Sequence, residues 1–119
     1  MDNKEFSKKL EVRTKKFAVA IIRFSASLPG SPESKVIRYQ LTKSGSSIGA
    51  NYHEANRARS KPDFSNKIRI CEFEASETVY WLEVISELDW ALPEMVNSLL
   101  SEATELLAIF TSIGRSLRS

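Results

Sequence analysis

Apolar residues recur along this chain at alternating steps of three and four, the spacing of one face of a packed helix. The first such segment, about residues 5–28, carries Phe6, Leu10, Phe17, Ile21, Phe24 and Leu28, with a break only at Arg13 or Thr14. Leu28-Pro29-Gly30-Ser31-Pro32 then forms a turn cluster, with Ser31 as cap and Pro32 in the first turn of the next helix. The second segment, residues 32–59, reads Ile37, Leu41, Ser44, Ile48, Asn51, Ala55 and Ala58. Ser60-Lys61-Pro62-Asp63 breaks it and opens the third, residues 63–88, with Phe64, Ile68, Cys71, Ala75, Thr78, Leu82 and Ile85. After the short link Asp89-Trp90-Ala91-Leu92 the fourth, residues 93–117, reads Val96, Leu99, Ala103, Leu106, Phe110, Ile113 and Leu117. Strand-like alternation is missing over any useful length. Each segment is about 25 residues, roughly 35–40 Å at 1.5 Å per residue. The pattern predicts an all-α fold, an up-down-up-down antiparallel four-helix bundle forming one domain over residues 1–119.

Within this pattern one position is out of character. Asn51 falls on the second seam with Glu54 three residues on, and a buried amide is costly unless hydrogen-bonded. Glu74 and Glu77 on the third segment are the expected partners, so Asn51, Glu54, Glu74 and Glu77 form the predicted structural polar network. On that reading, Asn51→Leu disturbs helix pairing more than a surface change does. Gly45 and Gly49, with Ser44, Ser47 and Ala50, give the same helix a small face where a neighbouring backbone comes close. Together with Ser44, Asn51 and Ala58 this face reads as a docking device for the third helix. Further apolar residues exceed what one seam needs: Val19, Ile22, Phe73, Tyr80, Val84, Leu92, Met95, Leu100 and Leu107. Such an excess predicts a homo-oligomer.

Charge is the next informative feature. The net charge is only +2, but residues 1–69 hold fifteen Lys/Arg against six Asp/Glu, and residues 70–114 hold nine acidic residues and no Lys or Arg. The simpler reading is that basic and acidic helix pairs complement each other; the alternative is that the signs separate and leave one basic surface for nucleic acid. The candidate contacts are Lys8, Lys9, Arg13, Lys15, Lys16, Arg57, Arg59 and Lys61, all able to neutralise phosphates. No standard DNA-binding motif accompanies them.

Catalytic chemistry finds little footing. The single histidine, His53, has Ala50 three residues before it, not the glutamate a di-metal bundle site requires, and Glu74-x-x-Glu77 lacks a histidine partner. Ser44-Gly45-Ser46-Ser47-Ile48-Gly49 lacks the Gly-Lys-Ser/Thr ending of a phosphate loop. No catalytic residue, metal or cofactor is expected. The lone Cys71 excludes an internal disulfide, lies on a seam as a buried thiol, and fits a reducing cytoplasm. Met1 to Lys16 is charged throughout and holds no signal-like apolar run, and no run approaches the roughly 18 residues of a membrane span.

The segment from Ser44 to Leu88 resembles the bacterial four-helix-bundle proteins known as 23S ribosomal RNA intervening-sequence proteins. The resemblance is carried by Gly45, Ser47-Ile48, Ala50-Asn51, Glu54-Ala55, Ala58-Arg59-Ser60, Asp63-Phe64, Lys67, Glu74, Glu77 and Tyr80-Trp81-Leu82. It implies a closed four-helix bundle in a ring-like homopentamer with no known enzymatic activity. A structurally similar relative is the accessory protein of diversity-generating retroelements, a basic pentamer that binds reverse transcriptase and nucleic acid. The expectation is therefore a non-enzymatic, cytoplasmic homo-oligomer that associates with RNA or another nucleic acid. The alternative is a protein-interaction scaffold or accessory subunit of a nucleic-acid enzyme such as a reverse transcriptase.

Overall fold

The computed structural model describes residues 2–118 and contains four helices, α1 (Asn3–Ala26), α2 (Pro32–Ala55), α3 (Lys61–Leu88) and α4 (Pro93–Arg118), with no strand among the described residues. Each start is set by local chemistry. Asp2 caps α1 by accepting the Glu5 N–H at 2.7 Å. Ser31 and Ser60 do the same for α2 and α3 through the Ser34 and Asp63 N–H groups, each at 3.2 Å, with Pro32 and Pro62 in the first turns. Asp89 ends α3 in the left-handed region, φ 56°, where aspartate is better tolerated than most side chains.

Two helices stop earlier than their patterns predict. α1 ends at Ala26 because Leu28 precedes Pro29, which disfavours helical backbone at Leu28, and because Ser27 Oγ donates to the Phe24 carbonyl at 2.6 Å. α2 ends at Ala55, four residues short of the expected 59, where the chain tightens into bonds from Arg57 N to Glu54 O and from Ala58 N to Ala55 O, each 3.0 Å. The extended Ser60 cap of α3 follows at once.

The helices pack in sequence, α1 on α2, α2 on α3 and α3 on α4, with α4 meeting α1 across the most open seam. The core contains Leu10, Phe17, Ile21, Phe24, Leu41, Ile48, Ile68, Cys71, Leu82, Ile85, Val96, Leu106 and Phe110. α3 buries the stripe its sequence predicts, from Ile68 to Ile85, and leaves only Phe64 half-buried. In α2 the stripe drifts. Tyr52, not Asn51, enters the core and sets its ring edge-on to Phe110 at 5.4 Å. A straight helix of 3.6 residues per turn rotates about 20° per heptad away from a 3.5 repeat, which is enough to carry Asn51 to the edge.

The small face of α2 also meets a different neighbour from the one expected. A Cβ at Gly45 would lie 2.7 Å from Ile21 Cγ2, and one at Gly49 would lie 3.2 Å from the Thr14 backbone. These glycines therefore admit α1. The contact with α3 is made by Ser44, Ile48 and Glu54. Among the described residues no helix is long and apolar enough to cross a membrane.

Candidate nucleic-acid interface

The predicted cations fall into two groups once their partners are known. Arg13 is held at the α1–α4 seam, where Nε and one terminal nitrogen donate to the two Glu102 carboxylate oxygens, each at 2.7 Å, and Glu105 lies at 3.3 Å. These carboxylates raise the guanidinium pKa against the opposing effect of burial. Arg57 is likewise engaged, donating to the His53 carbonyl at 2.6 Å and to Glu11 at 3.4 Å. Glu11 also meets His53 Nδ1 at 3.1 Å and accepts from Asn56 at 2.9 Å, tying α1 to the end of α2. Burial opposes ionisation of Glu11, but the bonds from Asn56 and His53 and the charge of Arg57 outweigh it and hold its carboxyl below the ordinary value. Lys9 makes an exposed contact with Glu5 at 3.8 Å. Arg13 and Arg57 are thus structural cations, whereas Lys8, Lys15, Lys16, Arg59 and Lys61 make no ion pair among the described residues.

Arg59 and Lys61 flank the Ser60 cap at the start of α3, where unsatisfied N–H groups carry partial positive charge. They line an open groove of about 890 Å³ whose floor includes Ala55, Pro62 and Phe64 and whose far wall is Ser116 and Leu117 of α4. The last turn of α4, next to that wall, carries two exposed cations beyond the predicted set, Arg115 and Arg118, the second of which lines a separate cleft with Glu72 and Phe73 of α3. Their sequence signal was present, since they are the first basic residues after the acidic stretch. What the sequence does not show is that the end of α4 returns to the α2–α3 loop. The start of α1 lies at the same end, through the Glu11 contacts with His53 and Asn56. One end of the molecule therefore gathers cations from the start of α1, the α2–α3 loop, the start of α3 and the end of α4. Its chemistry is electrostatic: several flexible positive charges around a partly apolar groove, suited to a polyanion.

The residues predicted as a polar network are placed differently from one another. Asn51 is half-buried and donates to the Ser47 carbonyl of its own helix at 2.8 Å. Glu54 is exposed and accepts from Lys67 at 2.8 Å, a bond that lowers its own pKa and raises that of the lysine. Glu74 and Glu77 are brought together. Burial, a hydrogen bond with Glu77 and the Glu77 charge raise the Glu74 pKa, against Ser47 and Lys43 across the α2–α3 seam. Smaller bonds link these helices in the core, Thr78 Oγ1 to Ser44 Oγ at 3.0 Å and Cys71 Sγ to the Ile48 carbonyl at 3.5 Å.

Cys71 is fully buried with its thiol toward the Ile48 carbonyl at 3.5 Å, and burial pushes its pKa up to about 12. A thiol so held is poorly nucleophilic. Among the described residues no group of three His, Cys, Asp or Glu side chains is arranged to hold a metal.

No curated protein matches the chain. A solved crystal structure does: a protein of unknown function from the S23 ribosomal protein family of Bacteroides thetaiotaomicron, 36% identical, superposing with a TM-score of 0.81 over 87% of this chain and 96% of that one. The model of the family described as 23S rRNA-intervening sequence protein matches residues 8–112, which includes all of α2 and α3 and most of α1 and α4. The chain belongs to the 23S rRNA-intervening sequence protein family.

Proposed function

We propose that this protein is a non-enzymatic, cytoplasmic homo-oligomer of up-down-up-down antiparallel bundles that associates with RNA or another nucleic acid through its basic end. The observation that carries the reading is the placement of unpaired Lys8, Arg59 and Lys61, with Arg115 of the last turn of α4, at one end of the molecule. Cross-helix pairs support the topology. Along α1 and α2 they run Glu11 to Asn56, Thr14 to Gly49 and Ser25 to Arg38, so the numbering rises on one helix as it falls on the other. Val19, Ile22, Leu92 and Met95 stay exposed, as does Phe73 at 70%, which supports burial against further copies. The family resemblance supports a ring of five for that assembly.

The test is binding of a hairpin RNA, followed by fluorescence anisotropy at protein concentrations that maintain the oligomer. Affinity is expected to fall steeply with salt, and Arg59→Gln with Lys61→Gln to lower the salt slope by about 1 for each phosphate no longer neutralised. Undetectable binding at low ionic strength, or an unchanged slope in the double variant, overturns the reading. A second reading, a docking subunit for a nucleic-acid enzyme, is favoured by Phe73 and Tyr80, two exposed aromatic residues on the acidic helix α3. Stoichiometric co-purification of a protein in place of RNA distinguishes it.

A further inference from the structure

Three cations away from the basic end share one groove. Lys35, Tyr39 and Lys43 follow one another at steps of four along α2, so their side chains form a single line on its surface. Arg38 and Thr42 form the adjoining line, and Ser25 of α1 closes the groove, which holds about 470 Å³ and has no carboxylate in its lining. Its floor is stitched together. Ser25 Oγ donates to the Arg38 carbonyl at 3.2 Å and accepts from Thr42 Oγ1 at 2.9 Å. Lys35, Arg38 and Lys43 make no ion pair among the described residues. Lys43 also favours the ionisation of Glu74 from across the α2–α3 seam.

Tyr39 stands in the middle of this line, 63% exposed, and takes no part in the ring contacts made by Tyr52 with Phe110 and by Tyr80 with Trp81. An exposed ring with a cation one turn before it and one turn after it matches a ligand that carries both negative charge and a π-face. A nucleotide strand has that chemistry: phosphates for the cations and a base for the ring. The three cations span two helical turns, about 12 Å, short enough for a few nucleotides. A duplex is excluded by the same geometry, because its bases are stacked on one another and cannot reach the ring.

We infer that the α1–α2 groove around Tyr39 is a single-stranded nucleic-acid site, with Tyr39 as the stacking platform and Lys35, Arg38 and Lys43 as the phosphate contacts. It shares its ligand class with the proposed function but none of its residues, so the two can fail separately.

The experiment measures binding of a labelled oligouridylate of about eight nucleotides and of an RNA hairpin, its loop short and closed by internal base stacking, to the intact oligomer. Tyr39→Leu is expected to weaken the single strand by at least about fivefold and to leave the hairpin unaffected, whereas Tyr39→Phe retains single-strand affinity because the π-face remains. Lys35→Gln with Lys43→Gln is expected to flatten the single-strand salt slope by about 0.7 per phosphate released. Single-strand affinity unchanged in Tyr39→Leu, absent from the unmodified protein, or lost equally in Tyr39→Phe overturns the inference. So does a change in sedimentation of the RNA-free oligomer on Tyr39→Leu, which assigns the face to a second copy of the chain. Hairpin binding that ignores Arg59→Gln and Lys61→Gln, while the Tyr39 effect holds, removes the basic-end reading and leaves this one standing.

Discussion

Thr78 is fully buried, and its one hydroxyl proton has two acceptors within reach, the Glu74 carbonyl at 2.8 Å and Ser44 Oγ at 3.0 Å. Thr78→Val keeps the shape but leaves Ser44 without that donor, and is expected to cost about 1 kcal/mol. Asn51→Leu severs only a bond to the Ser47 carbonyl on its own helix, so its cost is expected to stay within about 0.5 kcal/mol. Chemical denaturation of the two variants checks the order, and an Asn51→Leu cost equal to or above that of Thr78→Val refutes it. The Glu74–Glu77 pair gives a pH-dependent companion. Burial and then the neighbouring Glu77 raise the Glu74 pKa above 4.5, so the native state holds a proton that the unfolded chain has released. The contribution of Glu74 to stability is therefore greatest below 4.5 and is lost as pH rises through the elevated value. Glu74→Gln removes that titration, and its stability curve is expected to be flatter across this window and higher at neutral pH. An unchanged slope excludes the carboxyl pair as its source.

At the scale of the helices, the periodicity locates nearly every buried position of α3 and most of α1 and α4, because a straight apolar stripe depends only on residue type and spacing. Two things escape it. The drift that replaces Asn51 by Tyr52 depends on the true twist of α2, which a strict heptad hides. The identity of the neighbour admitted by Gly45 and Gly49 depends on tertiary arrangement, since a small face looks the same whichever helix it meets. That identity has a measurable consequence. Alanine improves helix propensity over glycine by about 1 kcal/mol, yet a Cβ at Gly45 meets Ile21 Cγ2 at 2.7 Å, and Ile21 is 0% exposed and cannot swing aside. Overpacking of this kind costs about 1–3 kcal/mol, so Gly45→Ala is expected to lower stability despite the better helix former. Gly30, in the α1–α2 loop, has nothing within 4 Å of its added Cβ and no positive φ, and Gly30→Ala is expected to gain about 0.4–1 kcal/mol. Thermal midpoints that move in the same direction for both variants contradict this assignment of the close approach.

Over the whole molecule, the separation of charge in the sequence survives folding. Of the ion pairs among the described residues, only those of Arg13 with Glu102 and Glu105 join the basic first part of the chain to the acidic second part. The rest, Lys9 with Glu5, His53 and Arg57 with Glu11, and Lys67 with Glu54, lie within the first sixty-nine residues. Intramolecular complementarity is therefore local to one seam, and a basic α1–α2 side stands opposite an acidic α3–α4 side. Two identical copies related by a two-fold axis would set like charge against like. Copies arranged head to tail would instead turn a basic α1 face, with Lys15 and Lys16, toward an acidic α3 face, with Glu83 and Glu87, all exposed and without an ion pair among the described residues, and such a heterologous contact closes into a ring when the rotation permits. The proposed oligomer is accordingly expected to use unlike faces. Sedimentation of two charge-reversed proteins decides it: Lys15→Glu with Lys16→Glu, and Glu83→Lys with Glu87→Lys. Each alone is expected to dissociate at protein concentrations where the unmodified chain assembles, because its two faces then carry the same sign. Their equimolar mixture restores opposite charge wherever the two variants alternate, and larger species are expected to return, more strongly at low salt, where screening is weakest. Full assembly of either variant alone shows that the charges lie outside the interface, and dissociation without recovery on mixing excludes the pairing of these faces.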